Sequence, residues 1–402
     1  LVFAFNPITK AYDGNAKVGG TDNEATWKSY INDIFIKKAD GSRLIDLNND
    51  IDKVTKAEYQ AGGGSRAKDA ATGKKVLFNV KDEMLNNLEF DNSIYTPDAQ
   101  GNHMLSDKTY DRYTTGDITK KLLTATLDQP ANLRKVYDGT TEADKENLKI
   151  AGNLDGDSLT YGKTAVYDDA NANINPGASS QNSRVITYTT TLGGTDAVNY
   201  AFDNAGANTK TLMARGDIEK RKVYARVNQD VRKKYDGTTT VKINGVTPTN
   251  GDAYVTFGRS ADNNKDTGIR PGYGTNDTTA VYRDANAGTN KQVDYTLAIG
   301  GDDGHGHNFR DNYVIYDANR PTVEVTTLST YANIIDKAAL MLNAAYADKQ
   351  YDGTRTVKNL STLLTLTGAP TGIDIDRSST GMYAGTYLDE NVNEKGVDYS
   401  NV

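Results

Sequence analysis

The chain contains no cysteine, only one tryptophan and only three histidines among its 402 residues. Disulfides, thiolate nucleophiles and cysteine-ligated metals are therefore excluded. A Ser-His-Asp set would have to use one of three histidines that lie in loop-like segments without a nucleophile-elbow motif. Because carboxylates are numerous, a catalytic pair of the kind used in glycoside hydrolysis is not excluded, but no such pair stands out from the sequence pattern. We expect a protein that is not an enzyme.

Long apolar runs and an excess of positive charge are also missing. No stretch of 18 apolar residues occurs, so no membrane span is predicted in this segment. The net charge of −7 disfavours binding to a polyanion, so nucleic acid is not an expected partner. The first residue is leucine and no targeting segment is visible, from which we expect a fragment or a processed product.

Aromatic usage is strongly biased towards tyrosine, with 25 Tyr against 8 Phe. Tyrosine suits half-buried strands, in which the ring packs and the hydroxyl stays in water. Thr, Asn, Asp and Gly are abundant, and segments of helical composition are few. An all-β fold with many turns is therefore predicted.

A Tyr-Asp-Gly motif occurs four times, each time behind a short polar and basic lead-in. The four copies are Tyr12-Asp13-Gly14, Tyr137-Asp138-Gly139, Tyr235-Asp236-Gly237 and Tyr351-Asp352-Gly353. They lie about one domain length apart, which indicates tandem domains and not a short-period solenoid. Repeated domains are typical of spacers and binding arrays, so the motif count argues against a single-site enzyme.

Other elements recur in the same order behind this motif. Strands with period-two alternation are predicted at residues 184–189, 291–296 and 395–400. An Asn-Tyr pair follows at Asn199-Tyr200 and Asn312-Tyr313, and a closing isoleucine stands at Ile118, Ile218 and Ile335. The predicted domains are residues 1–118 (a divergent first repeat with an insertion), 119–217, 218–335 and 336–402 (a truncated fourth repeat). The joints are short and are not rich in Pro, Gly or Ser, so we expect them to be stiff.

The Asp-Gly pair has a structural interpretation as a turn. Glycine adopts positive φ without steric cost, and aspartate bonds its own backbone in such turns. Asp-Gly between alternating segments is typical of a hairpin turn, and the preceding tyrosine would cover it. A ligand contact is the alternative. The first repeat departs from this strand-and-turn pattern, because minor helix is predicted there at residues 50–59 and 80–88.

Taken together, these motifs resemble the YDG repeat and its MBG (mostly bacterial Ig-like) relatives. The resemblance rests on Lys-x-Tyr-Asp-Gly-Thr, Tyr-x-Asp-Ala-Asn-Ala-Gly, Leu-Gly-Gly-x-Asp-Ala-x-Asn-Tyr and a closing Ile-x-Lys, and it covers residues 120–402 best. It implies tandem Ig-like β-sandwich domains in an extended array. It also implies a bacterial cell-surface or secreted exoprotein of the filamentous-haemagglutinin-like adhesin type, and it supplies no catalytic residues.

Two kinds of cation site are candidates. The segment Asp302-Asp303-Gly304-His305-Gly306-His307 places two carboxylates and two imidazoles close together, and these are groups that bind metals. The alternative is a solvated hairpin tip. Several loops are rich in Asp and Asn, the residues from which calcium sites are built, but turn chemistry on a solvated surface is the preferred explanation. No other cofactor is expected.

The function expected from these observations is a rigid stalk or extracellular filament in an adhesin or a biofilm matrix. The expected partners are copies of the chain or other surface proteins. One alternative is a lattice subunit joined by donor-strand exchange, in which the N-terminal residues Val2, Phe3, Ala4 and Phe5 complete the truncated last repeat. A second alternative is a carbohydrate-binding module in which exposed tyrosines stack on sugar rings.

Overall fold

The computed structural model describes most of the chain. The described residues are 2–19, 28–37, 40, 42–81, 109–128, 133–249, 251–258, 269–272, 278–302, 304–345, 347–357, 364–373, 384–388 and 397–400. Strands make up 52% of the structure and helices 6%, which confirms the all-β class. In the described part of the chain, no helix combines the length and the hydropathy needed to cross a bilayer.

The described residues form 29 strands. Up to residue 219 these are β1 (Val2–Phe5), β2 (Ile8–Ala11), β3 (Ile31–Lys37), β4 (Arg43–Asp46), β5 (Val54–Tyr59), β6 (Ala71–Lys81), β7 (Thr109–Thr119), β8 (Lys121–Leu122), β9 (Thr124–Leu127), β10 (Leu133–Val136), β11 (Leu148–Ala151), β12 (Thr160–Tyr167), β13 (Arg184–Gly193), β14 (Tyr200–Ala201) and β15 (Thr209–Glu219). The later strands are β16 (Arg221–Val227), β17 (Arg232–Lys234), β18 (Val255–Gly258), β19 (Arg270–Pro271), β20 (Thr279–Tyr282), β21 (Gly288–Thr296), β22 (Ile299–Gly300), β23 (Tyr313–Asp317), β24 (Arg320–Glu324), β25 (Thr327–Asp336), β26 (Met341–Ala344), β27 (Leu364–Thr367), β28 (Ala384–Tyr387) and β29 (Val397–Ser400).

The helices whose bounds the described residues give are short. They are the 3-10 helices Asn48–Lys53, Lys145–Asn147, Ala197–Asn199 and Gly251–Ala253, and the α-helical turn α1 (Phe309–Asn312). The chain groups into two compact units. The first comprises Leu1–Leu133, Thr141–Asp169 and Gln181–Gly216, and the second comprises Arg134–Thr140, Ala170–Ser180 and Asp217–Val402.

One strand order recurs in the two units. The first contains a sheet in the order β2-β7-β6-β5, and the second contains one in the order β17-β25-β21-β20. In both sheets the strand before Tyr-Asp-Gly lies at one edge and runs parallel to the long strand beside it. After the motif, Lys17 bridges to Glu58 of β5, and Thr240 bridges to Val281 of β20. The motif therefore connects opposite edges of a sheet, which differs from the hairpin expected from the Asp-Gly pair.

The alternating segments are strands, as predicted. Within β13, Ile186 and Tyr188 are buried while their neighbours are half-exposed, as expected for a strand with one face in the core. The segments at 291–296 and 395–400 fall largely in β21 and β29. Period two is thus a correct signal for strands in all three places.

A second sheet carries the Asn-Tyr pair of the second unit. Its order is β18-β16-β23-β24, and Tyr313 is the first residue of β23. The β16–β23 pair is parallel, with Arg221 opposite Tyr313 and Ala225 opposite Asp317. In the first unit, β14 pairs with β8 in the same parallel sense, with Tyr200 opposite Lys121. Each Asn-Tyr pair therefore begins a strand that lies beside the first strand after a closing isoleucine.

The helix predicted at residues 50–59 is wrong over most of its length. Only Asn48–Lys53 is helical, as a 3-10 segment, and Val54–Tyr59 is strand β5. Its pairing with β6 buries Val54, Ala57 and Tyr59, and this tertiary contact outweighs local helix propensity. Of the second predicted helix, Val80 and Lys81 end strand β6, and the remaining residues lie outside the described part of the chain.

Candidate functional site

A lysine two residues before each Tyr-Asp-Gly tyrosine bonds the turn that follows. These residues are Lys10, Lys135, Lys233 and Lys349, and each Nζ donates to the motif aspartate Oδ1 at 2.7, 2.8, 2.7 and 2.7 Å respectively. Each Nζ also donates to a backbone carbonyl five residues along the chain, at 2.6 to 2.9 Å. The lysine side chains are largely buried, the least exposed being Lys233 at 2%. We call this arrangement the lysine turn.

The aspartate and glycine complete the lysine turn. The aspartate Oδ1 accepts a bond from the backbone N–H two residues on, for example from Thr238 to Asp236 at 3.0 Å. The motif glycines Gly14, Gly139, Gly237 and Gly353 have φ of +84°, +76°, +75° and +69°. Only glycine adopts this region without strain. The motif is thus a turn in all four copies.

The lysine turn is electrostatically coupled to the neighbouring strand. Lys233 Nζ lies 5.5 Å from the ring centre of Tyr282, within cation–π range, and Lys349 has the same relation to Tyr387. Burial raises the pKa of Tyr282 to about 12. Burial alone would raise the pKa of Asp236, but hydrogen bonds from Lys233 and Lys242 outweigh it and hold that pKa far below its ordinary value.

The tyrosine of the first motif packs against the first Asn-Tyr pair. Tyr12 and Tyr200 form an edge-to-face contact with ring centres 5.5 Å apart, and both side chains are buried. Both hydroxyls donate to Asp157 Oδ2, at 2.9 and 2.6 Å. The Lys68 ammonium lies 3.3 Å from the same carboxylate. Burial, with the adjacent Asp157 carboxylate, raises the pKa of Tyr200, so this hydroxyl stays protonated as a donor.

The asparagine of the first pair is fully buried and bonds the earlier repeat. Asn199 Oδ1 accepts from the backbone N–H of Ala70 at 2.7 Å, and its Nδ2 donates to Asp69 Oδ1 at 3.1 Å. Burial acts to raise the pKa of Asp69, but bonds from Arg66 and Asn199 outweigh it and hold the pKa below the ordinary value. Arg66 also pairs with Asp196, three residues before Asn199. One polar network therefore surrounds the Asn-Tyr pair.

The second unit repeats both contacts with its own residues. Tyr137 and Tyr313 meet edge to face with ring centres 5.6 Å apart. Asn312, also fully buried, accepts from the N–H of Ala172 at 2.7 Å and donates to Asn171 Oδ1 at 2.9 Å. A Tyr-Asp-Gly repeat and the Asn-Tyr pair of the next repeat thus form the same contact twice. We call this contact the Asn-Tyr joint.

The third and fourth motif tyrosines have different surroundings. Tyr235 is only half-buried and Tyr351 is 65% exposed, whereas Tyr12 and Tyr137 are each 1% exposed. The turn of the third motif does contact the following repeat, because a Cβ added to Gly237 would clash with Ile373 Cδ1. Four similar motifs therefore present two covered tyrosines and two accessible ones.

The predicted metal segment is described at three of its four candidate ligands, so the prediction stays untested. Asp302 Oδ1 accepts from the backbone N–H of Gly304 at 2.8 Å, as in an ordinary turn. His305 is exposed, His307 is half-buried, and Asp303 lies outside the described residues. Among the residues that the structure describes, no group of three His, Asp or Glu side chains could hold a metal ion.

The candidate donor strand is paired within its own chain. Residues Val2–Phe5 form β1, at the edge of a three-stranded sheet in the order β1-β3-β4. Val2 lies opposite Phe35 in β3, and the ring of Phe5 packs on that of the core residue Phe78 with ring centres 4.7 Å apart. Donor-strand exchange by this segment would first require β1 to leave β3.

The recurring lysine and the Asn-Tyr pair are visible in the sequence, but their roles depend on contacts that the sequence pattern does not reveal. The signal for the lysine is its fixed position, two residues before the tyrosine in all four copies. The signal for the joint is an Asn-Tyr pair one repeat after a motif tyrosine, at Asn199-Tyr200 and again at Asn312-Tyr313. Both features recur in the same order in successive repeats, as structural residues of a repeated domain do.

Comparison with protein families finds the YDG domain at residues 118–209, which covers most of the second repeat. Comparison with curated proteins gives no match. The matched range includes Tyr137-Asp138-Gly139 and Asn199-Tyr200, the two elements that take part in the lysine turn and the Asn-Tyr joint. The chain therefore contains a YDG domain at residues 118–209.

Proposed function

We propose that this chain is a structural and adhesive region of a bacterial cell-surface or secreted exoprotein, in which tandem Ig-like YDG repeats act as a rigid stalk. The Asn-Tyr joint is the observation that carries this proposal. It is built from Tyr12 with Tyr200, and again from Tyr137 with Tyr313. A contact that recurs between consecutive repeats is what a spacer requires, since the same geometry can be extended by adding repeats.

The chemistry of the joint favours stiffness. The asparagines and tyrosines that form it are almost fully buried, and each asparagine satisfies both a backbone donor and a side-chain acceptor of the earlier repeat. Separating the repeats would expose these aromatic rings to water and would exchange each buried hydrogen bond for bonds to water, at a net cost of about 0.5–1.5 kcal/mol for each bond. Bending at the joint is therefore opposed by several coupled contacts and not by one.

Electron microscopy of native material tests the stalk. The expected result is straight particles whose length increases in proportion to the number of Tyr-Asp-Gly repeats in a deletion series. Particles that bend freely between repeats, or a compact shape at every length, would contradict the proposal. Surface labelling of intact cells with an antibody to residues 119–217 tests the location separately, and labelling only after lysis would exclude the cell surface.

Assembly by donor-strand exchange is the second candidate. It is favoured by an open strand edge in the fourth repeat, since β26 and β27 form a sheet of only two strands among the described residues. If β1 is the donor, deleting residues 1–8 should abolish assembly. Unchanged filaments in micrographs of the deletion variant would remove β1 from this role.

Carbohydrate binding stays a prediction with a direct test. Tyr113, Tyr331 and Tyr351 are each about half exposed or more, at 48, 60 and 65%, and could stack on sugar rings. A glycan array with the full chain decides the matter. Absence of binding to any glycan would remove this alternative and leave the stalk unaffected.

A further inference from the structure

Strand β16 carries a row of cationic and aromatic side chains on its outer face. The row consists of Lys222, Tyr224 and Arg226. These residues alternate along the strand with Val223 and Ala225, which are 0% and 1% exposed, so the row points away from the core. One tyrosine therefore lies between two cations on a surface strand.

The fold itself does not require this row. Counted from the closing isoleucine of each repeat, the corresponding residues are Leu122, Thr124 and Thr126 after Ile118, and Ala339, Met341 and Asn343 after Ile335. The cross-strand pairs at the middle position are Tyr224 with Gly258, Thr124 with Ala151 and Met341 with Thr367. The same strand pairing forms without two cations and a tyrosine, so the row in the third repeat is available for another role.

A cavity of about 500 Å³ lies beside this row. The residues that line it come from β16, β18, β24 and the turn before β24, and they are Tyr224, Arg226, Thr256, Gly258, Ala318 and Pro321. The volume falls within the range of about 300–1,000 Å³ that is usual for small-molecule sites. The lining combines one aromatic ring, one cation and one hydroxyl.

The cation of the cavity has no partner within the described part of the chain. The Arg226 guanidinium makes no hydrogen bond or ion pair with a described residue. The neighbouring cations are engaged, since Arg320 pairs with Asp317 and Lys222 Nζ lies 4.6 Å from the ring centre of Tyr316. An unpaired arginine is common on protein surfaces, but this one lines a cavity beside an aromatic ring. Its planar fork is suited to two parallel bonds with a carboxylate.

The ring of Tyr224 is accessible from the side of β18. The residue opposite it is Gly258, which has no side chain to cover the ring. On the other side Tyr224 meets Tyr316, with ring centres 6.2 Å apart and ring planes inclined by 55°. Tyr316 is only 7% exposed, whereas Tyr224 is half-buried. Tyr224 is therefore the ring of this pair that a ligand can reach.

A hydroxyl lies directly across from the unpaired guanidinium. Thr256 is opposite Arg226 in the β16–β18 pair. The Thr256 hydroxyl donates to Asn228 Oδ1, and the Asn228 amide donates to the carbonyl of Asp252. This chain of bonds fixes the direction of the Thr256 proton and leaves its oxygen able to accept a bond from a ligand.

We propose that this cavity binds a sugar ring that carries a carboxylate, such as a uronic acid residue of a polysaccharide. The apolar face of the sugar packs on the Tyr224 ring, the carboxylate accepts two bonds from Arg226, and a sugar hydroxyl donates to Thr256 Oγ1. The proposal gives the carbohydrate-binding alternative a site and a class of sugar. It rests on that alternative and does not depend on whether the array serves as a stalk.

The class of ligand follows from the lining. A sugar ring has a face of C–H groups and an edge of hydroxyls, which matches a tyrosine ring beside a hydroxyl. A carboxylate is a planar anion that fits the fork of one guanidinium. A phosphate monoester carries nearly two negative charges at neutral pH, and these would face a single free cation on a chain of net charge −7.

Isothermal titration calorimetry of the full chain tests the site. The probe is a trisaccharide of galacturonic acid, and the matched probe is the same trisaccharide with each carboxylate reduced to a primary alcohol. The acidic probe should bind at least about tenfold more tightly than the reduced one, because only the carboxylate forms charge-assisted bonds with the guanidinium.

Three variants separate the contributions of the lining. Arg226→Thr should weaken binding of the acidic probe by about tenfold or more and leave the reduced probe unaffected. Threonine occupies the corresponding position of β9, at Thr126, so the strand tolerates it. Gly258→Val should weaken binding of both probes, because its side chain would pack over the Tyr224 ring without a backbone clash. The control is Arg215→Gln, an exposed arginine of β15 outside the cavity, which should bind both probes as the native chain does.

Several outcomes would overturn the proposal. These are no binding of the acidic probe at millimolar concentration, equal affinity for the two probes, and undiminished binding by the Arg226→Thr chain. Tighter binding of a trisaccharide with sulfate in place of each carboxylate would overturn the choice of carboxylate. Glycan binding that Arg226→Thr leaves unchanged would remove this site while the carbohydrate-binding alternative stands. None of these results bears on the straightness of native particles, so this test and that of the stalk fail separately.

Discussion

Changing the joint asparagine to aspartate should destabilise one joint much more than the other. Asn199 donates to a carboxylate, that of Asp69, whereas Asn312 donates to the neutral amide of Asn171. Asn199→Asp therefore places two carboxylates in contact inside a buried network. Asn312→Asp retains the acceptor for the Ala172 N–H, and it faces the Asn171 amide, which can rotate to donate, although the bond to the Asn308 carbonyl is lost. Each of these two substitutions therefore serves as the matched control for the other.

The magnitude follows from the geometry. Two unit charges at the observed 3.1 Å repel by about 5 kcal/mol at an effective dielectric constant near 20. Protonating one carboxyl limits this cost to about 4 kcal/mol at pH 7, since each pKa unit above an ordinary value near 4 corresponds to about 1.4 kcal/mol. Arg66, which already pairs with Asp69, reduces it further. We expect about 2–4 kcal/mol for Asn199→Asp and about 1 kcal/mol for Asn312→Asp.

Amide hydrogen exchange measures both effects locally, without assuming that a multi-repeat chain unfolds in one step. Protection of the Ala70 amide should fall by about a hundredfold in Asn199→Asp, and protection of the Ala172 amide by about tenfold or less in Asn312→Asp. The new carboxyl has a raised pKa in the folded state, so the penalty should shrink as the pH falls towards 4. Equal losses at both joints, or a penalty independent of pH, would refute the assigned contacts.

Three further outcomes concern the lysine turn. Gly237→Ala should destabilise the third turn by more than Gly353→Ala destabilises the fourth, because both positions need positive φ but only the first would also clash with Ile373. Limited proteolysis of the two variants compares the turns, and equal cleavage rates would argue against the contact. Lys233→Met should lower the free energy of unfolding by about 2 kcal/mol, since it removes charge-assisted bonds to Asp236 and a carbonyl; an unchanged thermal midpoint would contradict this. The depressed pKa of Asp236 stabilises the fold at pH values above the ordinary aspartate pKa, and this stability is lost as the pH falls through the lower pKa of the folded state. Asp236→Asn should therefore flatten the dependence of stability on pH below about pH 4. An unchanged pH dependence would exclude Asp236 as a source of acid sensitivity.

Local pattern predicted the strands but not their arrangement. Alternation placed β13 correctly because Ile186 and Tyr188 face a core and their neighbours do not. The parallel pairs, such as β16 with β23, join residues that are far apart in the chain, and period two carries no information on such pairing. The helix prediction for Val54–Tyr59 was wrong for a related reason. The conformation of this segment is set by its pairing with β6, which the local pattern does not reveal.

The site was predicted in its parts and not in its assembly. The motif glycine could be assigned to a turn because positive φ is a local property. The role of Asn199 could not, because its partner Ala70 lies 129 residues earlier and Asn312 is 140 residues from Ala172. The turn is also not the hairpin that Asp-Gly suggested, because the residues on its two sides pair with opposite edges of one sheet.

A double-mutant cycle on Tyr137 and Tyr313 tests most directly whether Tyr-Asp-Gly repeats are joined through the Asn-Tyr pair. Each tyrosine is changed to leucine singly and together, and exchange protection of the Ala172 amide gives the free energy of local opening. The edge-to-face contact at 5.6 Å predicts a coupling of about 0.5–1.5 kcal/mol between the two substitutions. Strict additivity would contradict the joint and with it the mechanical role proposed for the array.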